Sequence, residues 1–346
     1  MRDSWPTGFR LSFVLAATIW LAGCSSPPSP PVPDSPATIA YVWGNDNQNQ
    51  SVNEPPQTIL EYSITSTQSS SAIGTLTLPA LFNGWPIAAD SSGQLYVGGF
   101  YYPGDTPVIL IYPPHSTGAA TPSRTIEINS AGEVITLAVA PNGLLYVGIV
   151  GTGSLAVAVY SADASGMAVP LRTVQLPYSD SVQCLDLVAD AAGNIYAAFY
   201  PVLPGTGPPG YIDVYAPDAT GPTPTRTITL SSIVFGIAVN DAGHLFADAC
   251  LSTMLGCSVE EFAADADGAA SPINTIRVPN QLAGQYWGGP VRLDGVGNIF
   301  VSSGIRNPST DVVDFFLYRF APTATGDAWP SQQITAETPR GEFDIN

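Results

Sequence analysis

The chain has 346 residues, 45% hydrophobic and 11% charged, and its 10 arginines, with no lysine, face 28 acidic residues for a formal net charge of −18. So few cations exclude a surface built to displace counterions from nucleic acid and disfavour a direct grip on anionic lipid headgroups. The acids are scattered, so their first consequence is solubility, and cations or neutral sugars remain open as partners.

In chain order, the first element is a targeting segment rather than part of the fold. Arg2 and Arg10 form a positive region, and Leu11 to Ala22 an apolar run. The run is short of the roughly 20 residues that span a bilayer. It ends in Leu21-Ala22-Gly23-Cys24, which resembles the lipobox of bacterial lipoproteins. That resemblance implies cleavage before Cys24, acylation of its sulfur and of the new amine, and, with Ser25 rather than Asp next, the outer membrane as destination. Several acyl chains make a stable anchor, so the membrane is engaged through the lipid alone. Residues 24–36 then form a Pro/Ser tether, extended and unable to pack a core. Without the leader, 8 cations face 27 acids, a charge of about −19.

From residue 37 to 346 the composition changes to short apolar runs separated by Gly, Pro, Asn, Asp and Ser, and the same unit recurs. Five segments align: Ile87 to Val97, Leu137 to Val147, Leu187 to Ala197, Ile237 to Ala247 and Val291 to Val301. Their glycines, Gly93, Gly143, Gly193, Gly243 and Gly297, are spaced 50, 50, 50 and 54 apart. Strand, tight turn with Gly where positive φ is needed, strand: this is a hairpin signature. Each second strand carries an aromatic at one place (Tyr96, Tyr146, Tyr196, Phe246, Phe300), suited to plug a wedge between neighbouring units.

A second half-unit follows: an apolar strand ending in an aromatic, a turn, then Arg-Thr-Ile or a relative. Tyr112 leads to Arg124, Tyr160 to Arg172, Tyr215 to Arg226, and Phe262 to Asn274. Counting Leu60-Glu61-Tyr62 and Tyr318-Arg319-Phe320, it appears six times. Four strands per period of about 50 residues, with no helical periodicity, predict a propeller blade. Thr38 to Val42 matches a second strand with no first strand before it, and Phe343 to Asn346 matches a first strand with nothing after it. The predicted fold is therefore an all-β, six-bladed β-propeller of four antiparallel strands per blade, in which the C-terminal strand completes the N-terminal blade. Ile237 to Phe246, its four relatives and the arm from Tyr215 to Ile228 resemble NHL-type propeller repeats, in particular those of bacterial envelope proteins. The resemblance specifies architecture and leaves activity open, because propellers host binding modules and enzymes alike.

Cys250 and Cys257 bracket a six-residue insert and are expected to form a disulfide in an oxidising compartment. Cys184, in an apolar strand, reads as a buried free thiol. Counting along the first strands places Arg292 and Asp344 in the channel on adjacent blades. As a shielded ion pair they either lock the closure or grip a ligand.

The face holding the irregular loops carries the candidate ligand residues Trp85, Tyr101, Tyr178, Asp186, Phe235, Tyr286, Trp287 and Glu342. Aromatic stacking oriented by acids suits a glycan or peptide; the other reading is that several of these aromatics cap the blade core. A gluconolactonase-like propeller would need oxygen ligands for calcium, for which Asp186, Glu342, Glu133 and Asn83 are the candidates, without a matching motif. Neither His115 nor His244 falls on that face, and they form no pair, so His-based lyase or Ser-His-Asp chemistry has no support. The expectation is a monomeric, non-catalytic module without a required cofactor, anchored in the envelope and binding an envelope protein or glycan, with a metal-dependent lactonase as the alternative.

Overall fold

In the computed structural model the described residues are 38–44, 55–64, 71–104, 106–129, 132–177, 182–201, 210–251, 255–279, 286–306, 313–336 and 343–346. The leader, the acylation residue Cys24 and the tether lie outside them, as do Tyr178 and Glu342.

All regular structure among the described residues is strand, arranged as six antiparallel sheets in a ring. We name the strands of each blade A to D from the ring axis outward. Blade 2 is Phe82–Ala89, Leu95–Tyr101, Pro107–Tyr112 and Arg124–Glu127. Blade 3 is Glu133–Val139, Leu145–Gly151, Ser154–Tyr160 and Arg172–Leu176. Blade 4 is Val182–Ala189, Ile195–Pro201, Gly210–Tyr215 and Arg226–Leu230, and blade 5 is Ile233–Val239, Leu245–Leu251, Leu255–Phe262 and Asn274–Arg277. Blade 6 has a broken A strand, Tyr286–Trp287 and Val291–Leu293, followed by Ile299–Arg306, Val313–Phe320 and Gln332–Ala336. Blade 1 takes strands B to D from Ile39–Trp43, Thr58–Ser63 and Gly74–Thr77, and its A strand from Phe343–Ile345. The register of that closing pair is Ala40 opposite Ile345, Tyr41 opposite Asp344 and Val42 opposite Phe343.

Both faces of a blade are covered by its neighbours, so the core is six wedges, one per blade–blade interface, among the described residues. The repeated B-strand aromatic plugs each wedge toward the next blade. Tyr41 lies in the wedge between blades 1 and 2, Tyr146 in that between 3 and 4, and Phe300 in that between 6 and 1. Tyr41 also donates its hydroxyl to the Gly93 carbonyl in the next blade's A–B turn, at 2.8 Å. Cutting such a side chain to Ala removes roughly 3–5 kcal/mol of packing.

The outer edges are latched. A bare D strand would present unpaired backbone groups. Here the C–D turn of the following blade covers it: Gly166 N–H donates to Thr125 O, and Glu127 N–H to Gly166 O, at 2.7 and 2.8 Å. The same parallel bridge forms at Gly118, Gly268 and Gly326. Gly166 has φ of 62°, a backbone conformation that a side chain would strain. The Arg of the Arg-Thr-Ile arm completes the latch. Arg124 Nη1 donates to the carbonyls of Ala162 and Ala164, and Arg226 Nη1 to those of Ala264 and Ala266. Arg172 reaches Ala219, and in blade 5 Asn274 replaces Arg and reaches Ala324.

Closure by Phe343–Ile345 makes a specific prediction. A chain ending at residue 342 leaves Ala40 and Val42 without their inner partner and exposes the wedge containing Phe343 and Ile345. It should melt at a clearly lower temperature, with a broadened transition, in a circular-dichroism scan. Unchanged melting would contradict closure by this strand.

Candidate functional site

The A strands are packed edge to edge around the axis without hydrogen-bonding one another as sheets, so each has backbone groups that need partners from elsewhere. Acidic side chains supply them. Asp344 on blade 1 accepts from the Ala89 amide of blade 2 at 2.6 Å, and Asp186 on blade 4 accepts from the Ile237 amide of blade 5 at 2.9 Å. Between these carboxylates lies Arg292 of blade 6. Its Nε donates to Asp344 at 2.7 Å and its Nη1 to Asp186 at 2.9 Å, so one guanidinium spans the axis between blades 1 and 4. Nη1 also donates to the Val291 carbonyl at 2.8 Å. The channel pair is thus a triad. Burial pushes the Asp344 carboxyl up from its ordinary range, and Arg292, the Ala89 amide and the Ile345 amide act against that shift. The two carboxylates hold the Arg292 guanidinium firmly protonated against the opposing effect of its burial.

Above the triad, on the face of the A–B turns, the channel opens into a pocket of about 180 Å³. All six blades line it, with Arg292 and Asp344 in its wall beside Ala89, Ala138, Val188 and Ala238. This recess lies on the face of the short repeating turns, where the sequence pattern suggested framework only. Those turns are nonetheless built by local capping. Asp90, Asp190, Asn240 and Asp294 each accept the amide four residues on, and Asp90, Asn240 and Asp294 also accept the amide two residues on, as Asx turns do. The two histidines are in this framework too. His244 Nδ1 is 2.7 Å from Glu261, and His115 Nδ1 is 3.7 Å from the buried Glu61, whose carboxyl burial pushes up.

On the opposite face the A strands of blades 2 to 5 each carry a β-bulge. The bulged positions are Trp85 with Pro86, then Ile135, Leu185 and Phe235: a large apolar residue recurs every 50 positions. Bulges re-aim side chains at rims and sites. In blade 2 these backbone groups are met by blade 1, whose buried Gln57 side chain accepts from the Gly84 amide at 2.7 Å and whose Trp43 Nε1 donates to the Trp85 carbonyl at 3.1 Å. Trp85, Tyr101 and Tyr102 are 46%, 37% and 53% exposed at this end of blade 2, and Tyr101 meets Phe82 edge-on at 5.2 Å. Phe235 differs. Its ring lies against Gly288, where a Cβ would come within 2.3 Å of it, and it packs into the wedge between blades 5 and 6. That ring is a packing group. The backbone of Tyr286 and Trp287 pairs with strand B of blade 6.

The calcium candidates are not gathered by the described residues. Asp186 accepts from Arg292, Leu187 and Ile237, so both its oxygens are committed. Glu133 is exposed at the start of its strand, Asn83 sits at the start of strand A of blade 2, and Glu342 lies outside the described residues.

Two buried features bear no relation to that set. Cys250 and Cys257 are joined by a disulfide across strands B and C of blade 5, and Cys184 is a free buried thiol whose pKa burial pushes up to about 12. Asp248, beside the disulfide, escaped the sequence reading. The equivalent B-strand positions hold Trp43, Gly98, Gly148, Ala198 and Ser302, so an acid at this place was the available signal. Asp248 Oδ2 accepts from the Gly289 amide at 2.9 Å, pinning the break in strand A of blade 6. Oδ1 is buried without a partner among the described residues. Burial pushes its pKa up to about 8, opposed by the Gly289 bond, with no cation beside it among the described residues.

No family model matches the chain, and no curated protein matches it. Among solved structures, a protein of unknown function from Bacteroides caccae is similar with a TM-score of 0.59 and 10% identity, over 89% of this chain and 98% of that one. A protein from Lactobacillus plantarum is similar with a TM-score of 0.53 and 14% identity, over 90% of this chain and 99% of that one. The Dos1 propeller gives a TM-score of 0.48 at 9% identity, over 86% and 72% of the two chains. At such identities a likeness speaks to fold alone. The class is a six-bladed β-propeller.

Asp248 makes a pH prediction. Its folded pKa of about 8 lies above the ordinary value of about 4, so the folded chain holds the proton more tightly than the unfolded one. Stability is therefore fullest below pH 4 on this account and is lost as pH rises toward 8. Asp248→Asn should remove that loss and raise unfolding free energy at pH 8 by on the order of 1–3 kcal/mol. Urea unfolding of both proteins at pH 5 and pH 8 reads it; an equal or lower stability of the variant at pH 8 would refute it.

Proposed function

We propose that this propeller is an envelope-anchored, non-catalytic binding or scaffolding module, held to the membrane through lipid on Cys24 and taking an envelope protein or a glycan on its irregular loop face. The lipobox-like Leu21-Ala22-Gly23-Cys24 and the likeness to NHL-type repeats of envelope proteins support the location. The observation that carries the binding role is the exposed aromatic group Trp85, Tyr101 and Tyr102 at one end of blade 2. Aromatic faces stack on sugar rings or on apolar side chains without needing charge, which suits a chain whose cations are few, four of them spent on latches and the channel. Against a metal-dependent hydrolase stands Asp186, whose carboxylate is bound to Arg292 and to backbone amides.

Two measurements test this reading. Titration calorimetry with calcium should give no binding heat, whereas micromolar binding lost in Asp186→Ala would favour the lactonase-like reading. Pull-downs with immobilised envelope glycans and with solubilised envelope proteins should retain the wild type, and Trp85→Ala with Tyr101→Ala should cut retention about tenfold or more, the loss of one or two stacking contacts. Equal retention of the variant would remove the blade 2 surface from consideration.

A further inference from the structure

Among the described residues, one group of three metal-ligating side chains has its donor atoms close enough to share an ion: Asp248, Cys250 and Cys257, all within 4.8 Å of one another. All three are buried. They lie on the side of strands B and C of blade 5 that faces blade 6, in the wedge with Val259 and Phe246. The two sulfurs are bonded to each other, and Asp248 Oδ1 is buried with no partner among the described residues. An acid with an unused oxygen next to a cystine serves no packing role repeated in the other blades, where Trp43, Gly98, Gly148, Ala198 and Ser302 fill its place. Its Oδ2 is used, on the Gly289 amide, so Oδ1 is the oxygen available to a ligand.

We propose that the Cys250–Cys257 bond conceals a zinc site: on reduction, the two thiolates and Asp248 together hold a thiophilic divalent cation. Zinc binds sulfur at about 2.3 Å and carboxylate oxygen at about 2.0–2.2 Å in a tetrahedron; donors gathered within 4.8 Å supply three of its four corners once the sulfurs part, and a water takes the fourth. The step balances. A dithiol reductant gives two electrons and two protons to the Cys250–Cys257 bond and becomes a disulfide itself, leaving two thiols. Zinc then displaces both thiol protons, and the carboxyl proton where present, forming two Zn–S bonds and one Zn–O bond. The same pair of strands is thereby stapled in either state, by a covalent bond when oxidised and by metal when reduced.

The test uses the full chain carrying Cys24→Ser and Cys184→Ser, so that only the two thiols in question remain. The readout is thermal unfolding with added zinc chloride, together with zinc retained after gel filtration. The oxidised protein should show neither retained metal nor a melting shift. After reduction by a dithiol, it should retain about one zinc per chain and melt higher with zinc than without. Reduced Asp248→Asn should lose both effects while remaining folded. If the reduced chain is unfolded without metal, zinc should restore its sheet spectrum, and failure to do so overturns the proposal. Equal zinc retention by Asp248→Asn, or retention by the oxidised chain, overturns it as well.

Discussion

Everything in this ring depends on how its two ends are joined. Phe343, Asp344 and Ile345 form the inner strand of the first blade, with Asp344 in the middle. That residue cannot be shifted along the strand without consequence. A slip of one position would turn Phe343 and Ile345 out of the wedge with Phe300 and Leu317 and turn Asp344 into it. In the observed register Asp344 faces the axis, accepts from blade 2 at Ala89 and meets the Arg292 guanidinium of blade 6. Arg292 in turn reaches Asp186 of blade 4, so one buried side chain ties the closing strand across the channel. Burying such groups is costly, and replacing all of them with apolar residues could be neutral in stability; removing one partner alone is not. The triad is best understood as fixing register and closure.

Away from the axis the architecture is repetitive. The Arg-Thr-Ile arm, which looks like ordinary strand sequence, is an outer latch whose Arg grips the next blade's turn while that turn's glycine covers the strand edge. Because each blade is held to its neighbours at the wedge and at this rim, individual positions near the axis are free to depart from the repeat. Arg292 and Asp344 stand where other blades have Ala or Val, Asp186 where they have Pro, Thr, Gly or Glu, and Asp248 where they have Gly, Ala, Ser or Trp. Departures from the repeat mark the positions with chemistry.

Much of the fold was legible in the chain because the repeat is local. Gly93 and its copies give the turns, the aromatic at Tyr96 and its copies gives the wedges, and an unmatched strand at each end gives the closure. The bulges at Trp85, Ile135 and Phe235 were not legible, since they arise where strands A and B converge near the axis and strict alternation hides an extra residue. The break at Gly288, Gly289 and Pro290 was hidden for a related reason. Blade 5 approaches so closely that a Cβ on Gly236 would lie 2.5 Å from the Gly289 carbonyl, a contact between segments about 50 residues apart. At the site, the spacing brought Arg292 and Asp344 to one level of neighbouring blades. The reach of Arg292 to Asp186 depends on the length of its side chain and the width of the channel, which no spacing rule carries. Asp248 went unread because a lone acid in an apolar strand signals little until the burial around it is known.

The central claim, that closure runs through the contact between Arg292 and Asp344, is tested most directly by a double-mutant cycle. Unfolding free energies would be measured for Arg292→Met, Asp344→Asn and the pair. Arg292→Met alone leaves two carboxylates at the axis and should cost about 3–5 kcal/mol. The double variant should cost less than the sum of the singles, with a coupling of about 1–3 kcal/mol. Strict additivity would show that the two residues stabilise the ring independently and that the closure is held by strand pairing alone.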